Sequence, residues 1–495
     1  MRILYIDIDT LRADHLGCYG YHRNTTPNID RLAAEGLRME NCYASDVPCL
    51  PSRSALGMGR FGTRTGVVGH GGTAADPRPE GPGRSFSSKL ARTTLAERFS
   101  RCGHRTASIS SFAHRHSALH WLAGFHYLEH PGKRGLEGAE EITPLATHWL
   151  DRYGQEEDWF LHVHYWDPHT PYRAPDSMGE PFKNDPLPDW YNEARLKEHW
   201  DACGPHSAQE ASGFTHEVPS WLQYPRQPTQ VDSMGALRRV IDGYDTGILY
   251  ADQHVGRLLD HLEKLGVLED TCVVVSSDHG ETFGELGIYC DHHTADEHVS
   301  RLPMVIRMPG MESQAGRVDR ALHYQFDVAA TLLECAGGSV PEEWDAQGFQ
   351  ESFVEGRDEG RDFLVITQGA WTAQRGVRFE DYLFLRTYHC GYHAYPELML
   401  FDLQKDPHET HNLVDEKPEI VAKALDYLVQ WLTEVADGGA ECADPIWTVL
   451  AEGGPYAVRG ALPEYLERLR NTGRAHWAET LGRIHPREAG VVRES

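Results

Sequence analysis

Positive charge is scarce in this chain: 47 Lys and Arg stand against 74 Asp and Glu, a formal charge of −27. Nucleic-acid binding needs clustered cations that track phosphates, so this balance excludes a general nucleic-acid binder. Any anionic substrate must be met by a local basic or metal-centred pocket set in a repelling field. No apolar run reaches the roughly 20 residues a bilayer crossing needs, so no membrane partner is expected. The opening stretch MRILYIDIDT has no charged leader, apolar h-region or small-residue cleavage site. Ten cysteines are scattered without a CxxC pair. Reduced thiols in a cytoplasmic enzyme are the expectation. Repeats of solenoid period and long low-complexity tracts are also missing.

What is present is enough for a large core. The chain has 495 residues, 40% of them hydrophobic, and more than one domain is expected. Apolar strands alternate with amphipathic helices through the first half: a buried strand Arg2 to Ile8, a helix Ile29 to Gly36, a helix Thr94 to Ser100, strands Thr106 to Ser110 and Trp159 to Tyr165, a helix Val240 to Leu265, and a β-branched strand Thr271 to Ser276. This order predicts an α/β fold with a mostly parallel sheet sandwiched by helices over residues 1–370. Residues 176–235, rich in Pro, Trp and Tyr, are expected to be a lid or insertion. Beyond 370, paired strands (Gly376 to Phe379, Tyr382 to Arg386), a strand Leu398 to Leu403 and a helix Glu419 to Val435 predict a smaller α+β domain, 371–495. Its Arg-rich stretch Leu462 to Ile484 either wraps back on the body or meets another subunit.

Three groups of residues carry chemistry. Asp7 and Asp9 share one side of the first strand, and two adjacent carboxylates need a cation or partner to offset their repulsion. Asp278 and His279 follow the β-branched strand and supply oxygen and imidazole ligands for a divalent cation. Strand carboxyl ends are where open α/β sheets bind ligands. Third is Cys49-Leu50-Pro51-Ser52-Arg53, whose cysteine alone would read as a small buried hydrophobe or a thiol nucleophile.

With its spacing Cys-x-Pro-Ser-Arg, that segment resembles the signature at which sulfatases of the alkaline phosphatase superfamily oxidise cysteine to formylglycine. TTPNIDRLAAEGLRMENCYA, ADQHVGRLLDHLEKLGVLEDTCVVVSSDHGE, LPMVIRMPG, FDVAATLLECAGGSVPE and LFDLQKDPHETHNL resemble further family segments, in the family's order. The resemblance implies hydrolysis of an aryl or carbohydrate sulfate. The hydrated aldehyde at position 49 attacks sulfur, expels the alcohol, then eliminates sulfate. It implies one divalent metal, Ca²⁺ with Mn²⁺ as the alternative, and a formylglycine-generating enzyme as maturation partner. Asp9 and Asp278 match metal aspartates, with Asp7, His279 and residue 49 completing the metal set. Arg53 would hold the diol, and His169, in Trp166-Asp167-Pro168-His169, resembles a sulfate-contacting histidine.

Two departures from the family stand out. A Gly-Lys-x-His motif is replaced by Ser110-Ser111-Phe112-Ala113, with His114 and His116 close behind as substitutes. A second lysine is replaced by His292, counting back from Glu297 and Arg301, with His293 beside it. His70, His116 and His293 are candidate substrate contacts, and Tyr388, His389, Tyr392 and His393 are candidates to face the same cleft. His279, where many sulfatases have Asn, is shared with phosphonate monoester and phosphodiester hydrolases, which form the alternative reading. A non-catalytic binding protein on this fold and a cysteine hydrolase with an unmodified thiol are the remaining rivals.

Overall fold

A computed structural model describes residues 1–78, 92–214, 224, 226–436 and 443–490. A nine-stranded sheet forms the body. Across it the strands run 301–302, 37–43, 304–307, 271–276, 2–8, 159–165, 105–109 and 127–129, with 317–324 paired to 37–43. Arg2–Ile8 lies at the centre, parallel to both Trp159–Tyr165 and Thr271–Ser276. This is the expected α/β architecture, with antiparallel strands only toward one edge.

Alternation along the central strand explains the layering. Leu4, Ile6 and Ile8 enter the core beneath helices Ala139–Tyr153 and Met234–Lys264. Ile3 and Tyr5 enter the core on the opposite face, with residues of helices Cys49–Met58 and Gln325–Cys335. Asp7 and Asp9 continue the Ile3 and Tyr5 side, and so meet the first of those two helices. Met234–Lys264 has 31 residues, a rod of about 46 Å. It buries Ile248, Val255, Leu258, Leu259 and Leu262, each contributing about 1.5–3 kcal/mol by leaving water. It begins at Met234, six residues before the expected start at Val240, and the hydroxyl of its N-cap Ser233 accepts from the Ala236 N–H.

The second sheet orders its strands 398–402, 382–389, 373–379, 363–368 and 46–47. Its first hairpin, Phe363–Gln368 with Ala373–Phe379, straddles the expected boundary at residue 370. Asp46–Val47, just before the Cys49 helix, pairs with Phe363–Gln368, so the smaller sheet is fastened directly to the signature segment. Helix Pro418–Ala436 covers it.

Residues 176–235 contain a short helix, Glu193–Trp200, and buried turns around Ala208–Glu210; residues 215–223 and 225 of this expected lid lie outside the described residues. The Arg-rich tail forms two helices, Leu462–Asn471 and Ala475–Ile484. It does wrap back. Its Leu462, Tyr465, Leu469 and Leu481 share a core with Cys203 and Tyr392. Arg474 donates to both oxygens of buried Glu210, and Arg468 lies 3.1 Å from the same carboxylate. Among the described residues no helix is long and apolar enough to cross a membrane, and no disulfide links the described cysteines.

Truncating one partner of a buried ion pair strands the other charge, at a cost of about 3–5 kcal/mol. Glu210→Ala should therefore lower the stability measured by urea unfolding by that amount and expose residues 462–490 to hydrogen exchange. A loss under about 1 kcal/mol would show that the tail is held by its apolar face alone.

Candidate active site

The parallel strands 2–8, 159–165 and 271–276 bring their carboxyl ends to one edge of the sheet, where Asp9, His164 to His169 and Asp278 converge. The helix Cys49–Met58, buried over its whole length, starts at this edge. Cys49 and Arg53 are four residues apart, one turn of the same helix face. Ser52 donates to the Asp278 carbonyl at 2.6 Å and accepts from the Gln325 amide at 2.6 Å. The helix closes at Gly59, whose φ of +63° is left-handed and whose added Cβ would fall 2.1 Å from Trp344.

Arg53 is the hub. Its Nε and Nη2 grip both oxygens of Asp7 at 2.7 and 3.0 Å, and Nη1 reaches Asp9 at 2.9 Å and Asp278 at 2.7 Å. Nη2 also donates to His164 Nε2 at 2.7 Å, so the proton of that ring sits on Nδ1, which donates to Ser110 Oγ. Burial opposes ionisation of Asp7 and Asp9, but the Arg53 charge outweighs it and holds both below the usual carboxylate range. Asp278 differs: burial and the neighbouring carboxylate of Asp9 push it up to about 6 against the pull of Arg53.

One guanidinium among three carboxylates leaves two negative charges. His279 donates Nδ1–H to the Gly280 carbonyl at 2.8 Å, which leaves Nε2 as a bare lone pair 3.0 Å from Cys49 Sγ and 3.3 Å from Asp278. Asp9 Oδ1 is buried without a hydrogen-bond partner. Asp9, Cys49, Asp278 and His279 offer ligand atoms within 4.8 Å of one another. Charge, orphaned oxygen and donor set all fit a divalent cation. Asp7 stands outside this set, because Arg53 and His162 (Nε2 at 3.3 Å) occupy its oxygens.

The candidate anion contacts divide into two groups. His169 donates Nδ1–H to the Thr170 carbonyl at 2.5 Å, and its ring lies 6.1 Å from that of His292, which packs 4.1 Å from His279. His70 accepts from the Leu50 N–H at 3.3 Å and lies 5.1 Å from His116. Burial keeps these rings neutral, with His169 and His70 each pushed down to about 3. His292 and His70 lie beside residue 49, with His169 and His116 packed behind them. His293 does not: its Nδ1 meets His393 at 3.0 Å, away from the Cys49 side. His114 is exposed against His130 at 4.1 Å. Tyr392 and His389 bond Glu488 of the tail, and Tyr388 packs on Trp447, so this group does not line the cleft.

Sequence reasoning missed four residues. His162 and His164 alternate on the strand beside Asp7 and Asp9, a signal visible as His-Val-His in Trp159–Tyr165. Arg115, half-buried over Trp166 at 5.0 Å, supplies a positive charge felt by Cys49, His70 and His169. Glu281 is buried with both oxygens unpartnered, and burial, Asp291 and Asp9 raise it well above the usual range.

Comparison with known proteins agrees with this geometry. A sulfatase family model matches residues 2–339, and one for the C-terminal part of N-sulphoglucosamine sulphohydrolase matches 284–435. The N-acetylglucosamine-6-O-sulfatase of Bacteroides thetaiotaomicron is 25% identical over 505 residues, covering 87% of this chain and 85% of that protein. A solved structure in complex with its substrate D-glucosamine-2-N,6-O-disulfate superposes with a TM-score of 0.71 at 20% identity, covering 89% of this chain and 99% of the other. The phosphonate monoester hydrolase of Agrobacterium radiobacter reaches 0.64 at 18% identity, covering 87% and 95%. With the family model spanning more than half of its length, and with a buried arginine, carboxylates and histidine gathered around Cys49, the chain belongs to the sulfatase family.

Proposed function

We propose that the chain hydrolyses sulfate esters of saccharides, with Cys49 oxidised to formylglycine by a formylglycine-generating enzyme and Ca²⁺ held by Asp9, Asp278, His279 and residue 49. The observation that carries this reading is the pair of uncompensated charges around Arg53, next to an orphaned Asp9 oxygen. Mn²⁺ is the alternative ion, because an imidazole joins the carboxylates. The saccharide preference draws support from the relative named for N-acetylglucosamine-6-O-sulfate and from the neighbour bound to a sulfated glucosamine. The unpaired cysteines support residence in a reducing, cytoplasmic compartment.

When bound, the cation and the hydrated aldehyde supply a polarised sulfate and a geminal-diol nucleophile. The protein's own residues do the rest. Arg53 fixes Asp7, Asp9 and Asp278 so that no carboxylate swings toward the substrate. His279, locked by its bond to Gly280, keeps Nε2 aimed at residue 49. His169 and His292 flank that position, where a ring can contact a sulfate oxygen or pass a proton to the leaving alcohol. His70, His116 and Arg115 surround the remaining approach, and Arg115 brings a positive charge into an otherwise acidic protein.

Unmodified thiol catalysis is poorly supported, although His279 Nε2 lies 3.0 Å from Sγ. Burial and the charges of Asp9 and Asp278 raise the Cys49 thiol well above its ordinary value, and a thiolate would add a third negative charge to the cluster. A phosphonate monoester hydrolase is the second reading, favoured by His279 and by the likeness to the Agrobacterium enzyme.

Mass spectrometry of the tryptic peptide Met39 to Arg53 from native host protein should show the aldehyde or its hydrate at position 49. An unmodified thiol there removes the premise. Cys49→Ala should abolish turnover and leave thermal unfolding within a few degrees of wild type. Asp278→Asn should weaken Ca²⁺ binding and turnover together, and unchanged values of both would sink the cation set. Side by side, an aryl sulfate should give a higher kcat/KM than a phosphonate monoester or a phosphodiester; the reverse order selects the second reading.

A further inference from the structure

Three more clusters of histidine with carboxylate occur among the described residues. Two are already neutralised. Glu285, with His298 and His408, has the Arg12 guanidinium at 3.0 Å. Glu488 accepts from His389, His485 and the Tyr392 hydroxyl. The third, His206, Asp291 and His293, has no such resolution. His206 Nε2 lies 3.1 Å from Asp291 Oδ2, and His293 Nε2 lies 3.4 Å from Asp291 Oδ1. Among the described residues no Arg or Lys forms an ion pair with Asp291.

The two ring nitrogens of His293 are held differently. His293 Nδ1 pairs with His393 Nε2 at 3.0 Å. Its Nε2 is buried without a hydrogen-bond partner and lies 3.4 Å from Asp291 Oδ1. A cation between them accounts for both the unpartnered ring nitrogen and the buried carboxylate beside it. Gly204 permits the chain of bonds, since a Cβ there would fall 2.1 Å from His393 Nδ1.

We propose that His206, Asp291 and His293 bind a second cation, Zn²⁺, separate from the catalytic ion. Two imidazoles and one carboxylate are a zinc donor set, richer in nitrogen than the catalytic cluster with its two carboxylates and one imidazole. Ligands about 2.1 Å from a tetrahedral zinc stand about 3.4 Å apart, close to the spacings already present. The ion would join the turn at residue 206 to the 291–293 loop. Asp291 also accepts from the His292 N–H at 2.8 Å, so the zinc would steady the backbone of a ring beside Cys49. His393, paired with His293 Nδ1 at 3.0 Å, is the outer partner of that ligand.

The test uses full-length protein, stripped with a chelator and resaturated with Ca²⁺, then titrated with Zn²⁺ and followed by calorimetry and elemental analysis. One tight zinc per chain is expected. His206→Ala and Asp291→Asn should abolish it, and His393→Ala should weaken it by about 10–100-fold, as losses of outer hydrogen-bond partners do. Co²⁺ in place of zinc should give tetrahedral visible bands that persist in Asp278→Asn and Cys49→Ala. Wild-type protein that takes up no tight zinc in Ca²⁺ overturns the proposal. Uptake lost in Asp278→Asn but retained in His206→Ala also overturns it, by assigning the zinc to the catalytic set. Because wild-type stoichiometry decides the matter, a variant that fails to fold does not.

Discussion

A guanidinium with no access to water lies at the centre of this molecule, and its burial constrains everything around it. Moving an ion of that size out of water costs several kcal/mol even after relaxation, repaid only when its hydrogen-bond positions are filled. Arg53 meets that condition through Asp7, Asp9, Asp278 and His164, drawn from three adjacent strand ends. The reciprocal cost then falls on the carboxylates, which outnumber it. Asp278 is pushed up to about 6, chiefly by burial and by Asp9, and Asp9 keeps an oxygen with nothing to bind. A divalent cation resolves both at once.

The position of Cys49 follows from the same hub. Helix geometry puts residues 49 and 53 on one face, so anchoring Arg53 fixes where residue 49 must lie. Ser52 and Gln325 then clamp the first turn to the carbonyl of Asp278. The signature can thus be understood as a mechanical unit: arginine for the charge cluster, serine for the loop beneath it, and cysteine at the helix start. The smaller sheet reinforces this by pairing with Asp46–Val47, three residues upstream.

Much of this was legible in the sequence because it depends on short-range pattern. Period-2 alternation placed Asp7 and Asp9 on one side, and strand-helix order gave the parallel sheet. What pattern did not show was which carboxylate faces the cation and which faces the arginine. Asp7 and Asp9 look equivalent along the strand, and only the depth of Arg53 in the cluster separates them. His293 was indistinguishable from His292 for a similar reason: neighbours in a loop diverge according to what packs beside them, here His393 from the loop that follows strand Tyr382–His389. Arg115 was passed over in favour of His114 and His116, since side-chain direction in a single helical turn is set by Trp166 beneath it.

The charge of the pocket bears on what it can accept. With a divalent cation in place, Arg53, its three carboxylates and the cation sum to zero, and the surrounding histidines are neutral because burial disfavours their charged forms. Where the family resemblance implies lysines, this chain has rings that contribute hydrogen bonds without a full charge. Besides Arg53, Arg115 is the cation among the described residues that acts on Cys49, in a protein of formal charge −27, while Arg173, which also acts on His169, sits beside Asp167. Such a site balances a monoanion better than a dianion, because each unmatched charge in a poorly solvated pocket costs far more than it does in water. Sulfate esters, phosphodiesters and phosphonate monoesters all carry a single negative charge near neutrality, whereas phosphate monoesters carry close to two. The electrostatics therefore separate phosphate monoesters from the other three classes, and the choice among those three passes to the shape of the leaving-group side.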